Sequence, residues 1–185
     1  VNMFAIKYYD NPQCEGEKEF YDDMKKFKYI KRLLRKYDES GVLLEDVSTF
    51  SNGVQTGDYP RFGRYIWEIK SFDKWSFQLS TVDGTEFFAG RYRCIYWGDN
   101  ELYSFVESKL GAGKAGSWIR GLDCQSKKGV AISAMGEVKA TIYNGEIFDD
   151  NTVVILPNNE SDLNSIWGVC SSKKYNEEVR KIDQS

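Results

Sequence analysis

A chain of 185 residues, of which 41 % are apolar and 15 % aromatic, can bury one hydrophobic core, so we expect one domain with an appendage rather than two full domains. The net charge of −3 argues against a wholly basic nucleic-acid coat but permits a local basic face. The four cysteines are widely spaced without a Cys-x-x-Cys pair, and the chain has no histidine, which disfavours a structural zinc site and excludes a histidine base.

The sequence has no stretch that reaches the roughly 18 apolar residues of a membrane span, and no recognisable signal peptide. We therefore expect a cytoplasmic protein with reduced thiols and no membrane partner. The chain begins at Val1 and ends at Ser185 within helix-like sequence, so we expect it to be a piece of a longer protein.

The first 43 residues predict a short strand at 3–9 and an amphipathic helix from Glu17 onward. Acidic residues occupy the first turns of this helix and basic residues its later turns, as the helix dipole favours, and Gly41 suits a left-handed cap at its end. The basic residues are interpreted first as a solvated outer face and alternatively as a face that contacts phosphates. The apolar stripe of the helix consists of Phe20, Met24, Phe27, Ile30, Leu34 and Tyr37.

Four segments predict β-strands in the next part of the chain: 42–49, 64–70, 75–80 and 91–97. In the third segment, Trp75, Phe77 and Leu79 alternate with polar residues, so we expect these three to face the core. In the fourth, arginines alternate with aromatic residues. That pattern suits phosphates or stacked bases, although an arginine resting on neighbouring rings is commoner. Residues 104–110 predict a short helix.

Residues 127–157 predict a small β-meander, because three apolar runs are separated by turn residues. Asn144-Gly145 is a strong hairpin signal, although the residues that follow could equally carry the chain into a longer loop. Two helices then follow, the second capped by Ser171-Ser172. The sequence therefore predicts an α+β fold: a small, mainly antiparallel β-sheet domain with an N-terminal amphipathic helix and C-terminal helices.

A glycine-rich basic loop, LGAGKAGSWIRG at residues 110–121, is the best candidate for nucleic-acid contact. It is not a P-loop, because Ala115 follows Lys114 and no glycine stands five residues before Gly113. Asp123 is its one acidic neighbour. The basic residues of this stretch are Lys109, Lys114, Arg120, Lys127 and Lys128.

Catalytic motifs give little support for an enzyme. Some metal-dependent nucleases have an acidic residue followed, after a spacer, by Glu-x-Lys. The chain contains this loose pattern twice, as Asp58 with Glu68-Ile69-Lys70 and as Asp123 with Glu137-Val138-Lys139. Outward-facing strand residues explain them more simply. The chain also lacks the glycine loop and the Asn/Asp-Pro-Pro-aromatic motif of adenine-methylating enzymes. Whether this chain takes part in catalysis stays open, and its own residues provide no catalytic signature.

A resemblance to a known family rests on three stretches. They are GVQTGDYPRFGRYIWEI at 53–69, the meander at 127–157, and LNSIWGVCSSKKYNEEVRKIDQ at 163–184. In their order they resemble the target-recognition portion of adenine-specific DNA methyltransferases, of the type IIG restriction-modification and BREX phage-defence kinds. Residues 1–43 resemble instead a small uncharacterised tailed-phage protein. We therefore expect two parts, 1–43 and 44–185, joined as a fusion or as fragments.

The resemblance implies a non-catalytic module that binds double-stranded DNA. Its partner would be a methyltransferase catalytic domain, in cis or in trans, and S-adenosylmethionine would bind to that domain and not to this chain. The glycine-threonine loop would lie near the target base, and the basic residues would hold phosphates. The predicted DNA-binding residues are Gln55, Thr56, Gly57, Asp58, Arg61, Arg64, Lys114, Ser117, Arg120, Lys127 and Lys128. No catalytic residue and no metal ligand is predicted.

Two further hypotheses remain open. The chain could be a phage-encoded protein-interaction module that mimics or binds such an enzyme, which its aromatic residues and acidic balance allow. An independent nuclease ranks last, and it predicts metal-dependent cutting that Glu68→Ala or Glu137→Ala abolishes.

Overall fold

The computed structural model describes residues 43–182, so the predicted strand at 3–9 and the predicted helix from Glu17 lie outside the described residues. The strands are β1 (Ser48–Asn52), β2 (Gly63–Tyr65), β3 (Trp75–Leu79), β4 (Arg93–Tyr96), β5 (Gly129–Ser133), β6 (Ala140–Tyr143), β7 (Ile147–Phe148) and β8 (Thr152–Pro157). The α-helices are α1 (Leu44–Val47), α2 (Tyr59–Phe62), α3 (Glu101–Leu110), α4 (Leu163–Cys170) and α5 (Lys173–Ile182). Single 3-10 turns occupy Ile66–Glu68, Ala115–Ser117, Leu122–Cys124 and Glu160–Asp162.

The strands form two four-stranded sheets, and the predicted α+β class is confirmed. The first sheet has the order β1-β8-β5-β6 and is antiparallel throughout. The second has the order β2-β4-β3-β7, in which only the pairing of β3 with β7 is parallel. None of the described helices has the length and apolar character needed to cross a membrane.

The meander prediction was right about the strands and wrong about their order. β8 pairs with β5 and not with β6, so β5 is an inner strand. All five residues of β5 are buried, as expected for a continuous apolar run with a covered face on each side. Val130 and Ile132 pack in one core with α4 and α5, whereas Ala131 packs in a second core with Tyr143 and Phe148.

The turn at Asn144-Gly145 does not close a hairpin. The chain continues into β7, which joins the second sheet beside β3. Gly145 has φ of +94°, and an added Cβ would lie 2.5 Å from the backbone nitrogen of Ser126, so only glycine fits there. This crossing connects the two sheets, and it sets the turn after Phe148 beside the end of β3.

The face of β3 that is buried differs from the expected one at two positions. Phe77 is 51 % exposed, whereas Gln78 is only 1 % exposed. Two polar atoms of this face have hydrogen-bond partners: Gln78 Oε1 accepts from the Tyr59 hydroxyl, and Ser80 Oγ donates to Asp149. Phe77 packs instead against the ring of Phe72 on the surface.

Helical periodicity predicted the C-terminal helices correctly. Ile166, Cys170, Tyr175 and Val179 are buried together against the first sheet. The Oγ of Ser172 accepts a hydrogen bond from the Tyr175 backbone N–H at 3.1 Å, which is the predicted cap. On the second sheet, α3 contributes Leu102 and Val106 to a third core; this helix begins at Glu101, three residues before its predicted start.

Candidate functional site

The loop 53–58, predicted to approach a DNA base, is anchored on both sides by backbone hydrogen bonds. The N–H of Val54 donates to the carbonyl of Phe148 at 2.7 Å, and the N–H of Gln55 donates to the carbonyl of Trp118 at 2.8 Å. At Gly53 an added Cβ would lie 2.5 Å from the carbonyl carbon of Phe148, so this approach requires glycine. The loop therefore lies between the end of β7 and the glycine-rich stretch that precedes β5.

The second half of the loop is shaped by Gly57 and Asp58. Gly57 has φ of +70°, and an added Cβ would lie 3.0 Å from Cη2 of Trp118 and closer still to Cζ3. Asp58 is the N-cap of α2, and its carboxylate accepts a hydrogen bond from the Arg61 N–H at 3.3 Å. Proline in the first turn of α2 suits that position, because its missing N–H would have no helical partner.

The loop forms one wall of a cleft of about 390 Å³. The opposite wall consists of the residues that follow β3 and the turn between β7 and β8. Thr56 and Ser80 are nearly buried at its base, whereas Gln55 is half-buried. The cleft is lined by Gln55, Thr56, Gly57, Tyr59, Ser80, Thr81, Arg93, Asp149, Asp150 and Asn151.

The base of the cleft carries a buried carboxyl group, Asp149, which is 4 % exposed. It accepts hydrogen bonds from Ser80 Oγ at 2.5 Å and from Thr152 Oγ1 at 3.0 Å. Burial raises the pKa of Asp149, and these two hydrogen bonds oppose the rise. Within residues 43–182 no basic side chain forms an ion pair with it, so the carboxyl group is stabilised by neutral hydrogen-bond donors.

Arg93 supplies the positive charge of the cleft. Its Cζ lies 3.5 Å from the ring centre of Tyr65 and 5.4 Å from that of Tyr59, and one of its terminal nitrogens donates to the Tyr65 hydroxyl at 2.8 Å. This confirms the commoner interpretation of the arginines in this strand, an arginine resting on neighbouring rings. Burial raises the pKa of the Tyr59 hydroxyl, and the charge of Arg93 opposes that rise.

Gln78, beneath Tyr59, has an orphan donor. Its Oε1 accepts a hydrogen bond from the Tyr59 hydroxyl at 3.3 Å, while its buried Nε2 has no partner among the described residues. Orphan buried donors are rare in folded proteins and call for a specific explanation. Together with Arg93 and Asp149, these side chains bring hydrogen-bond donors, acceptors and aromatic rings together at the cleft.

Three of the predicted DNA-binding residues, Gln55, Thr56 and Gly57, line this cleft, and Asp58 caps the helix beside it. Arg61 and Arg64 are already engaged. Arg61 pairs with Glu101 at 2.5 Å and lies over Phe62 and Phe105. Arg64 donates to the carbonyls of Pro60 and Gly63 and lies over Trp75.

The remaining predicted residues divide into two groups. Lys114 precedes the 3-10 turn at Ala115–Ser117 and Ser117 ends it, and both side chains are exposed. This turn reaches the loop through Trp118. Arg120 is partly buried and follows in the same stretch.

Lys127 and Lys128 are exposed just before the first residue of β5. The turn that carries Asp149 lies at the other end of this strand, where Ser133 pairs with Thr152. Five strand residues extend about 13 Å, so the two lysines are separated from the cleft.

The carboxylates of the loose nuclease patterns have structural partners. Glu68 accepts a hydrogen bond from the Tyr65 N–H at 2.7 Å, and Glu137 pairs with Lys139. Within the described part of the chain, no three Cys, Asp or Glu side chains are grouped closely enough to hold a metal ion.

Sequence patterns did not identify Tyr59, Ser80 and Asp149 as residues of the site. Asp149 stands in Asp149-Asp150-Asn151, which as sequence is an ordinary surface turn. Only its position directly after the apolar pair Ile147-Phe148 could have indicated that it lies at the end of a buried strand.

Comparisons with known proteins bear on the N-terminal part of the chain. Residues 1–47 match a family of unknown function, DUF7207. No curated protein matches the chain. The match includes the first turn of the described fold, α1, and stops before β1, so it does not extend to the cleft.

Proposed function

We propose that residues 44–185 are a DNA-recognition module, non-catalytic by itself, of the kind attached to adenine-specific methyltransferases and their restriction relatives. One observation carries the proposal: the loop Gln55 to Gly57 forms the wall of a polar cleft that also holds Arg93 and the buried Asp149. Its volume of about 390 Å³ is within the range of small-ligand sites, so a single nucleobase is a suitable occupant.

The chemistry of the cleft suits a base edge. The amide of Gln55 offers a donor and an acceptor side by side, the arrangement that pairs with adenine. Asp149 offers acceptor oxygens to an exocyclic amino group, and Arg93 offers donors to a carbonyl or a ring nitrogen. A base that enters the cleft would therefore be read by hydrogen bonds as well as by shape.

Phosphates would be held around the cleft. Lys114, Ser117 and Arg120 lie in the stretch that touches the loop, so they are the nearest candidates. Lys127 and Lys128 would reach a more distant part of the same backbone. Arg61 and Arg64 contribute less in this proposal, because each already has partners in the protein.

In this proposal the chain carries no cofactor. A methyltransferase catalytic domain, in cis or in trans, would hold S-adenosylmethionine and perform the chemistry, and double-stranded DNA would be the shared partner. Because such enzymes act on chromosomal and phage DNA, we place the module in the cytoplasm.

Fluorescence anisotropy with duplex DNA at several salt concentrations tests this function. We expect affinity to fall as salt rises, and we expect Lys114→Ala to reduce the slope of log affinity against log salt by about 0.9. Lys173→Ala is the matched control, because Lys173 is an exposed lysine on α5 whose partner is Glu177. Affinity that does not respond to salt would refute the phosphate contacts.

A second candidate is a phage-encoded protein-interaction module that mimics or binds such an enzyme. It is favoured by an open groove of about 550 Å³ at the start of β3, where Phe72 and Phe77 are 47 % and 51 % exposed beside Trp75 and Trp97. Exposed aromatic clusters of this kind are typical of protein interfaces. Capture of a host methyltransferase from a lysate, with no DNA retained, would favour this candidate over the first.

A further inference from the structure

Three planar groups are stacked from the cleft toward solvent: Arg93, Tyr65 and Trp67. The guanidinium of Arg93 lies 3.5 Å from the ring centre of Tyr65, and the ring of Trp67 lies 4.6 Å from it with an angle of 10° between the rings. Two planar groups this close to one ring cannot share a face, so Arg93 and Trp67 cover opposite faces of Tyr65. Trp67 is therefore the outermost layer, and it is 69 % exposed.

The stack is held firmly in place although its last member is in solvent. The Glu68 carboxylate accepts a hydrogen bond from the Tyr65 N–H at 2.7 Å and so closes the 3-10 turn that carries Trp67. The N–H of Ile66 donates to the Tyr92 carbonyl at 2.9 Å. Tyr65 itself pairs in register with Arg93 across β2 and β4. A large ring that contributes little to the core is thus presented to solvent in a fixed orientation.

We propose that the outer face of Trp67 is a stacking platform for an unpaired nucleobase. This inference rests on the DNA-recognition function proposed above and adds a second contact to it. Arg93 both lines the cleft and supports the stack, so a strand held at the cleft passes close to the platform. The site would take DNA in which one base is unpaired, because the bases of a closed duplex have no free face along their length.

The surroundings of Trp67 favour a base over an apolar protein side chain. Glu68 and Lys70, one and three residues after Trp67 in the chain, are exposed and charged. An apolar partner would have to desolvate these groups, whereas a nucleotide brings its own phosphate to Lys70. The groove at Phe72 and Phe77, by contrast, has two exposed rings next to each other. An exposed ring with charged neighbours in the chain suits an aromatic ligand that carries its own charge.

The test compares two labelled duplexes of equal length, one fully paired and one with a single unpaired base. Fluorescence anisotropy at low salt measures the affinity of the parent protein and its variants for both duplexes. We expect Trp67→Ala to weaken binding of the duplex with the unpaired base at least about fivefold and to change binding of the paired duplex little. Trp67→Phe keeps a ring in place and should retain most of the preference.

Phe87→Ala is the matched control. Phe87 is also 69 % exposed, and it also stacks on an aromatic ring, that of Trp167, but it does not line the cleft, and among residues 43–182 no arginine lies over its ring. We expect this variant to bind both duplexes as the parent does. A comparable loss in Phe87→Ala would show that removal of any exposed ring weakens binding, and it would overturn the proposal.

The outcomes separate this inference from the function on which it rests. The parent could bind DNA in a salt-dependent manner while Trp67→Ala lowers the affinity for both duplexes equally, or for neither. In that case the stacking proposal is wrong and the recognition function stands. If the parent binds neither duplex at low salt, both proposals are overturned. Equal unfolding midpoints for parent and variants establish that any loss of affinity reflects the missing ring.

Discussion

The packing of Gly57 against Trp118 predicts a measurable loss of stability when glycine is replaced by alanine. Two terms contribute to it. At φ of +70° an alanine occupies the left-handed region, which costs about 1 kcal/mol. The new Cβ would also lie 3.0 Å or less from two ring carbons of Trp118, and overpacking of this kind costs about 1–3 kcal/mol. We therefore expect Gly57→Ala to lower the free energy of unfolding by about 2–4 kcal/mol.

Gly113→Ala measures the cost of the left-handed backbone alone, without a contact to a ring. Gly113 has almost the same φ, +73°, but an added Cβ meets nothing within 4 Å. We expect this variant to lose about 1 kcal/mol. Urea unfolding followed by circular dichroism gives both values. The excess loss in Gly57→Ala is then the contribution of the contact with the Trp118 ring.

A double-mutant cycle identifies the ring as the cause. In a Trp118→Leu background the space above Gly57 is larger, so the excess loss caused by Gly57→Ala should fall toward zero. Equal losses in Gly57→Ala and Gly113→Ala, or an excess that persists without the indole, would refute the reasoning. Either result would mean that the loop does not pack as described.

Three further predictions follow from the described contacts. Burial raises the pKa of Asp149 above 3.8, so the contribution of this carboxyl group to stability is full below about pH 4 and declines as the pH rises through the raised pKa. The free energy of unfolding, measured from pH 4 to 8, should show this decline in the parent and not in Asp149→Asn. Arg91→Ala leaves Glu146 and two carbonyls without their donor, so we expect a loss of about 3 kcal/mol in urea unfolding. Burial raises the pKa of Cys170 to about 12, so a thiol reagent at pH 8 should label it only after unfolding.

Each of these has its own control. The control for Arg91→Ala is Arg61→Ala, which removes an exposed ion pair with Glu101 and should cost about 0–1 kcal/mol in the free energy of unfolding. Similar losses in the two variants would contradict the role given to burial. A parallel pH dependence in the parent and in Asp149→Asn would show that other groups cause it. Labelling of Cys170 in the native protein at the rate of an exposed thiol would show that α4 does not pack as described.

The part of the fold that sequence predicted best is the part fixed by local periodicity. Ile166, Cys170, Tyr175 and Val179 repeat at helical spacing, and the serine that caps α5 acts only three residues away. The strand order could not be predicted in the same way, because an apolar run such as β5 specifies that both its faces are covered and not which strand lies beside it.

The hairpin signal at Asn144-Gly145 was overridden by long-range contacts. Glu146 pairs with the mostly buried Arg91 at 2.5 Å and accepts a hydrogen bond from the Asn144 N–H at 3.0 Å, which holds the turn open. Phe148 is then buried in the core shared by the two sheets. No residue within the turn itself carries this information.

The candidate site was predictable in its loop and not in its base. The pattern from Gly53 to Asp58 combines glycines, small polar residues and a helix cap, so a shaped loop was expected there. Asp149 and Ser80 are brought to that loop by the parallel pairing of β7 with β3, a contact between segments about 70 residues apart. Their burial is a tertiary property, because in sequence both stand in turn-like polar surroundings.

Selection of bound sequences from a randomised duplex library tests the DNA-recognition function most directly. Binding would be measured by fluorescence anisotropy at low and moderate salt, and the retained pool would be sequenced. We expect binding that weakens as salt rises, with an enriched sequence that Gln55→Ala relaxes and Gln125→Ala, in the other groove, leaves unchanged. Absence of binding at low salt would contradict the function, and the protein-interaction module would then be the better explanation of the exposed aromatic residues.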